Sequence, residues 1–90
     1  MQLKKLINKS GLHKDIISFF IENPASIDTP RGISTWVKHD RSKVKKVLDE
    51  LVESDVLIAH KATSITGYSF TRNRSIVSQI EKTLIKDHRQ

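Results

Sequence analysis

The apolar positions of this chain recur at two different periods, and the change between them marks out its elements. Leu12, Ile16, Ile17, Phe20 and Ile21 form one stripe at helical spacing, with Phe19 at its edge, and predict a helix from Leu12 to Asn23. Ser10 stands where a cap belongs, and Asn23-Pro24 ends the helix, because a residue before proline resists the helical region. The first nine residues set Leu3, Leu6 and Ile7 among Lys4, Lys5 and Lys9, and read as a short extra turn or an arm. Ile27 is the one large apolar residue of the link 25–28 and suits a minimal strand. Asp28-Thr29-Pro30 then opens a second helix, with a polar cap and proline at the first helical position. It runs to about Lys38, and Ile33, Trp36 and Val37 share its predicted core face. Gly32 weakens it in isolation, so packing must hold it.

His39-Asp40 is a tight break. Asp40 caps a third helix, Arg41 to Ser54, whose stripe is Val44, Val47, Leu48 and Leu51, with Val52 at the margin. After Asp55 the period falls from 3.6 to about 2. Val56 to Ala62 and Tyr68 to Thr71 read as two strands of an antiparallel hairpin, turned by Thr63 to Gly67. Tyr68 and Phe70 are expected to cover the helices from that sheet. Ser75 to Lys86 is a last helix with Ile76, Val77, Ile80 and Leu84 on one side and Ile85 adjoining. Repeats and low-complexity tracts are absent from the sequence.

A chain of 90 residues and 10.3 kDa suits a single domain over 1–90: an arm 1–10, a core 11–72 and a C-terminal helix 73–90. No apolar run approaches the ~20 residues of a membrane span, and the lysines near the N-terminus break any signal-peptide core, so a cytoplasmic place is expected. Cysteine is absent, which excludes disulfides and thiolate metal sites. His13, His39, His60 and His88 include no i, i+4 pair, so no metal and no cofactor are expected. No nucleophile–base pair or phosphate loop is visible, and an enzyme is not expected.

Charge changes the picture further. The net charge is +6, and it is unevenly placed. Residues 31–46 hold Arg31, Lys38, Arg41, Lys43, Lys45 and Lys46 against Asp40 alone. Residues 47–59 hold Asp49, Glu50, Glu53 and Asp55 with no base, and 60–75 hold Lys61, Arg72 and Arg74 with no acid. Such blocks of basic charge point to nucleic acid or another acidic partner.

Two short helices at a tight turn, followed by a hairpin, form a helix-turn-helix with a wing. Ile33-Ser-Thr-Trp-Val37, Asp40-Arg-Ser-Lys-Val44, Leu48, Leu51, Leu57 and Gly67-Tyr-Ser-Phe-Thr71 carry that order, and the chain resembles the winged helix-turn-helix transcription regulators, of the MarR-like or ArsR-like groups. The resemblance extends over about 75 residues. It implies an α+β fold and a DNA-binding regulator, with helix 41–54 in the major groove and hairpin 56–71 on backbone or minor groove. Where many members have glycine after the recognition helix, this chain has Asp55, which must take a left-handed cap.

With Val44 at the centre of the buried stripe and about 100° per residue, Ser42, Lys46 and Glu53 point outward. Lys43 and Glu50 flank one side, Lys45 and Asp49 the other. The outward face is thus basic in its N-terminal half and acidic beyond, as suits a helix entering the groove N-terminus first. Ser42, Lys43 and Lys46 are the expected base-edge contacts. Arg41, Lys45, Lys61, Thr63, Ser64, Arg72 and Arg74 are the expected backbone contacts, with Thr66 beside them on the wing. Six phosphate contacts would give a log–log salt slope of about −5. Asp49, Glu50 and Glu53 read as a solubilising face, and Trp36 as core. Ile76, Ile80 and Leu84 either pack on the first helix or build a homodimer, the expected partner besides double-stranded DNA. The alternatives are a protein-interaction module of a larger complex and a nucleic-acid binder without sequence reading.

Overall fold

Each predicted stripe finds a face to bury in the computed structural model, which describes residues 3–88 and their side chains through Leu84. Five helices and three strands follow in the order α1 (Leu3–Ile7), α2 (Gly11–Glu22), β1 (Ile27–Asp28), α3 (Pro30–Val37), α4 (Arg41–Glu53), β2 (Leu57–Lys61), β3 (Thr66–Phe70) and α5 (Arg74–His88). The strands form one antiparallel sheet in the order β1-β3-β2. This is the winged helix-turn-helix arrangement: α3 and α4 are the two helices of the motif, β2 and β3 the wing.

The caps explain the helix boundaries. The Ser10 hydroxyl accepts from the His13 amide at 3.1 Å, so α2 starts at Gly11. The Thr29 hydroxyl accepts from Gly32 at 3.1 Å with Pro30 in the first turn. At Gly32 the helix passes against Asp28: a Cβ there would stand 2.3 Å from the Asp28 carboxylate oxygen, which instead accepts from the Thr29 amide. Lys38 and Asp55 end α3 and α4 on positive φ, 61° and 63°, the left-handed conformation expected at Asp55.

The core is continuous. Ile16, Ile17 and Phe20 of α2, Ile33 of α3, Val44, Leu48 and Leu51 of α4, and Tyr68 of the wing are each at most 1 % exposed. Tyr68 and Phe70 do cover the helices, and the Phe70 ring stacks near that of Phe20. The register Leu57↔Phe70 to Lys61↔Thr66 puts the base of the wing over this core and its tip away from it.

Two alternatives are settled and one expectation changes. Of an extra turn or an arm, the N-terminal stretch forms the turn: α1 buries Leu6 and Ile7 and lies against α5. That contact also takes the stripe of the last helix. Ile80 and Leu84 are buried in the chain's own core and Ile76 is half-buried, so the stripe offered to a second copy is used within the chain. Trp36, expected inside, is 63 % exposed. Its indole meets the core in a tilted contact with the Phe19 ring, centroids 5.5 Å apart, while Ile33 fills the deep contact of this eight-residue helix. Ile85 and His88 fall beyond the described side chains.

Candidate nucleic-acid interface

The site is built at the point where the start of α3, the N-terminal half of α4 and the tip of the wing meet. Asp40 sets the first turn of α4: its carboxylate accepts from the Ser42 and Lys43 amides at 3.1 and 3.3 Å and from the Ser42 hydroxyl. These bonds, the Ser42 hydroxyl foremost, hold the Asp40 carboxyl below its ordinary pKa. The cap therefore stays ionised at neutral pH, and the Ser42 hydroxyl keeps its lone pairs free to accept.

Around this turn lies an open cleft of about 710 Å³. Thr29, Pro30 and Arg31 form one wall, Arg41, Ser42 and Lys45 the floor, and the wing loop 62–66 the other wall. Three cations line it and no carboxylate does. Cations from the start of α3 and the first turns of α4 thus converge with the polar wing tip on one flank. Arg31 belongs to this set although the motif reading left it out. Its signal was its place directly after the Thr29-Pro30 cap, where a side chain must project from the exposed end of the helix.

The structure does not bring all expected residues there. Thr63, Ser64 and Thr66 line the cleft, and Lys61, paired in register with Thr66, stands at its edge. Lys43 and Lys46 are exposed but outside it; Lys46 points outward and Lys43 shares the opposite flank with Glu50. Arg72 and Arg74 follow the other end of β3, four residue steps from the tip, or roughly 13 Å along an extended strand. The basic block 60–75 is split by its own hairpin, and those two arginines stand apart from the cleft.

The acids of α4 keep a solvated face, with Asp49 and Glu53 exposed, but two of them are also tied to neighbours. Glu50 accepts from Lys9 at 2.5 Å and pairs with His13 Nε2 at 2.7 Å, while His13 Nδ1 meets the Ser10 hydroxyl at 2.6 Å. Lys9 first, then His13, lowers the Glu50 pKa. Asp49 accepts from the Tyr68 hydroxyl at 2.7 Å and from Lys45 Nζ at 2.5 Å. Burial pushes the Asp49 carboxyl up, but the hydrogen bonds from Lys45 and Tyr68 outweigh it and the pKa falls. Asp49 in turn raises the Lys45 pKa. Burial first, and then Asp49, raises that of the Tyr68 phenol. The two flanks of α4 are thereby tied to different neighbours: Glu50 to α1–α2, Asp49 to the wing. Of the three acids only Glu53 makes no ion pair among the described residues.

Among the described residues no group of three His, Asp or Glu side chains could hold a metal ion. His13 is spent in its network, His60 Nε2 bonds the Ser69 hydroxyl at 2.7 Å, and His39 lies 3.8 Å from Asp15. No helix among these residues is long and apolar enough to cross a membrane.

No family model and no curated protein matches the sequence. Solved structures do match the fold. One is described as a possible transcriptional regulator from Methanosarcina mazei Go1: TM-score 0.71 at 17% identity, over 93% of this chain and 77% of that one. A ZitR variant of Lactococcus lactis in complex with DNA gives a TM-score of 0.58 at 21% identity, over 82% of this chain and 56% of that one. NadR in complex with 4-hydroxyphenylacetate gives 0.68 at 13% identity, over 97% of this chain and 65% of that one. The chain therefore spans little more than half the length of ZitR and about two thirds of NadR. At these identities the likeness concerns the winged-helix fold.

Proposed function

We propose that this chain is a DNA-binding transcriptional regulator without enzymatic activity. In this reading the N-terminal half of α4 enters the major groove, and the wing loop lies on the adjoining backbone or minor groove. The single observation that carries it is the cleft shared by Arg31, Arg41 and the wing tip, lined by cations and by no acid. Neighbouring phosphates are the anions a strip of this form fits. Ser42, Lys43 and Lys46 face the base edges: the lysines donate to guanine acceptors, and Ser42 accepts while its own proton is held by Asp40. Arg31, Arg41 and Lys61 meet phosphates, with Thr63 and Ser64 adding hydroxyl donors. Arg72 and Arg74, at the far end of the hairpin, take no part.

Several further features support the reading. A protein described as a possible transcriptional regulator, and another solved in complex with DNA, share the fold. The acids of α4 lie in its C-terminal half, outside the phosphate envelope. A protein bound to DNA in this way works in the cytoplasm, and two copies would read two half-sites about one helical turn apart. Their contact needs a surface other than Ile80 and Leu84.

The test is fluorescence anisotropy on labelled duplexes across a salt series, with Lys43→Ala plus Lys46→Ala as the variant. Tight binding at low salt and a loss of sequence discrimination in the variant are expected. No binding at low salt overturns the reading. A second reading, a protein-docking module, draws on Trp36 and Ile27, each 63 % exposed. A stable complex with a different protein, formed without nucleic acid, would select it.

A further inference from the structure

We propose that Asp49, anchored by Tyr68, is a positioning residue that withholds Lys45 from the phosphates and so weakens indiscriminate binding to nucleic acid. The inference rests on the DNA-binding reading and deepens it. Lys45 lines the cleft beside Arg41, where sequence spacing alone would assign it a phosphate. Its ammonium is instead 2.5 Å from Asp49 Oδ2, one turn along the same helix. An exposed lysine–carboxylate pair of this kind is ordinarily weak, and a phosphate would break it easily. Here the carboxylate is not free to leave. Its other oxygen accepts from the Tyr68 hydroxyl at 2.7 Å, and Tyr68 is fixed, 1 % exposed, in wing strand β3.

The consequence is one of charge. Lys45 and Asp49 present no net charge to the duplex, and no counterion is released at that position. Arg31, Arg41 and Lys61 have no ion-pair partner among the described residues, so the cleft keeps its attraction. The anchor also joins the wing to α4. Because β3 carries Tyr68 and α4 carries Asp49, this hydrogen bond ties the floor of the cleft to its wing wall. Arg41 and the wing tip then reach the backbone in fixed register.

The test compares Asp49→Asn, Glu53→Gln and the double variant Lys45→Ala/Asp49→Asn on a random-sequence duplex over a salt series. Asp49→Asn keeps an acceptor of the same shape for Tyr68 and releases Lys45. The expected result is tighter binding than the parent, with a log–log salt slope steeper by about 0.9, one added phosphate contact. Glu53→Gln removes an unpaired charge from the same helix and leaves the slope unchanged. The double variant returns the slope to the parent value. Equal tightening by Asp49→Asn and Glu53→Gln, with parallel slopes, would mean a general charge effect and overturns the proposal. Tyr68 supplies a readout without DNA, because it is the one tyrosine of the chain. Its phenol absorbance should titrate at lower pH in Asp49→Asn than in the parent, since Asp49 helps to raise that pKa. An unchanged phenol titration removes the anchor, and with it the proposal, whatever the duplex does. A shifted titration in a protein that binds no duplex at low salt overturns the DNA reading and this inference together, while duplex binding without the slope change overturns this inference alone.

Discussion

Neutralising Arg31 and Arg41 together is the perturbation that the cleft makes most informative. Both line it, neither has an ion-pair partner among the described residues, and both are exposed, so their removal leaves no orphaned buried group. Arg31, Arg41 and Lys61 are the three cations assigned to phosphates, which gives a log–log salt slope of about −2.7. Between 50 and 200 mM salt the parent should lose roughly 40-fold in affinity. Arg31→Ala/Arg41→Ala leaves one phosphate contact and a slope of about −0.9, and the same salt step should cost only about 3-fold. The assay is anisotropy of a labelled duplex of about two helical turns, with the thermal melt of each protein followed in parallel. The double variant should melt with the parent, because neither guanidinium makes a bond that holds the fold. A slope unchanged by the double substitution would refute the reasoning, for the cleft would then carry none of the attraction. So would an equal flattening by Arg72→Ala/Arg74→Ala, because those side chains stand at the opposite end of the hairpin.

Other outcomes follow from the scaffold. Leu48→Ala deletes a fully buried side chain between α4 and its neighbours and should cost about 2–5 kcal/mol in urea unfolding, with an unchanged m-value. Ser10→Ala removes the α2 cap and the partner of His13 Nδ1, and should cost about 1–2 kcal/mol in the same assay. The Glu50 pKa is lowered in the fold, so its stabilisation is complete above the ordinary value of 4.5 and is lost as pH falls through the lower folded value. Glu50→Gln should therefore lose stability at neutral pH and show a shallower decline on acidification than the parent.

The positions of the elements were legible in the sequence because three local signals agree at each boundary: a change of period, a cap and a breaker. Ser10, Thr29-Pro30 and Asp40 all cap the helices they precede, and Asp55 takes the expected left-handed turn. Periodicity could not say which apolar stripe meets which. The last helix offered Ile80 and Leu84 to either a second copy or the first helix, and only the fold shows that Leu6 and Ile7 come round to that side. Trp36 misled for a related reason. Its spacing from Ile33 and Val37 is helical, but an eight-residue helix has room for one deep contact, and Ile33 takes it.

The helical wheel of α4 shows how far the site itself was legible. It placed Asp49 and Glu50 on opposite flanks, and the two flanks do find different neighbours. It could not show that those neighbours hold the side chains. Tyr68 is nineteen positions from Asp49, and Lys9 forty-one from Glu50. No local pattern links residues so far apart. Two acids in the C-terminal half of α4 thus have structural work to do. Their carboxylates fix α4 between the N-terminal helices and the wing. A recognition helix needs that rigidity, since its basic side chains discriminate only if their backbone is held still. The same division sets Arg31 and Arg41, which have no ion-pair partner among the described residues, apart from Lys45, Asp49 and Glu50, which are tied within the fold, Asp49 and Glu50 by two partners each.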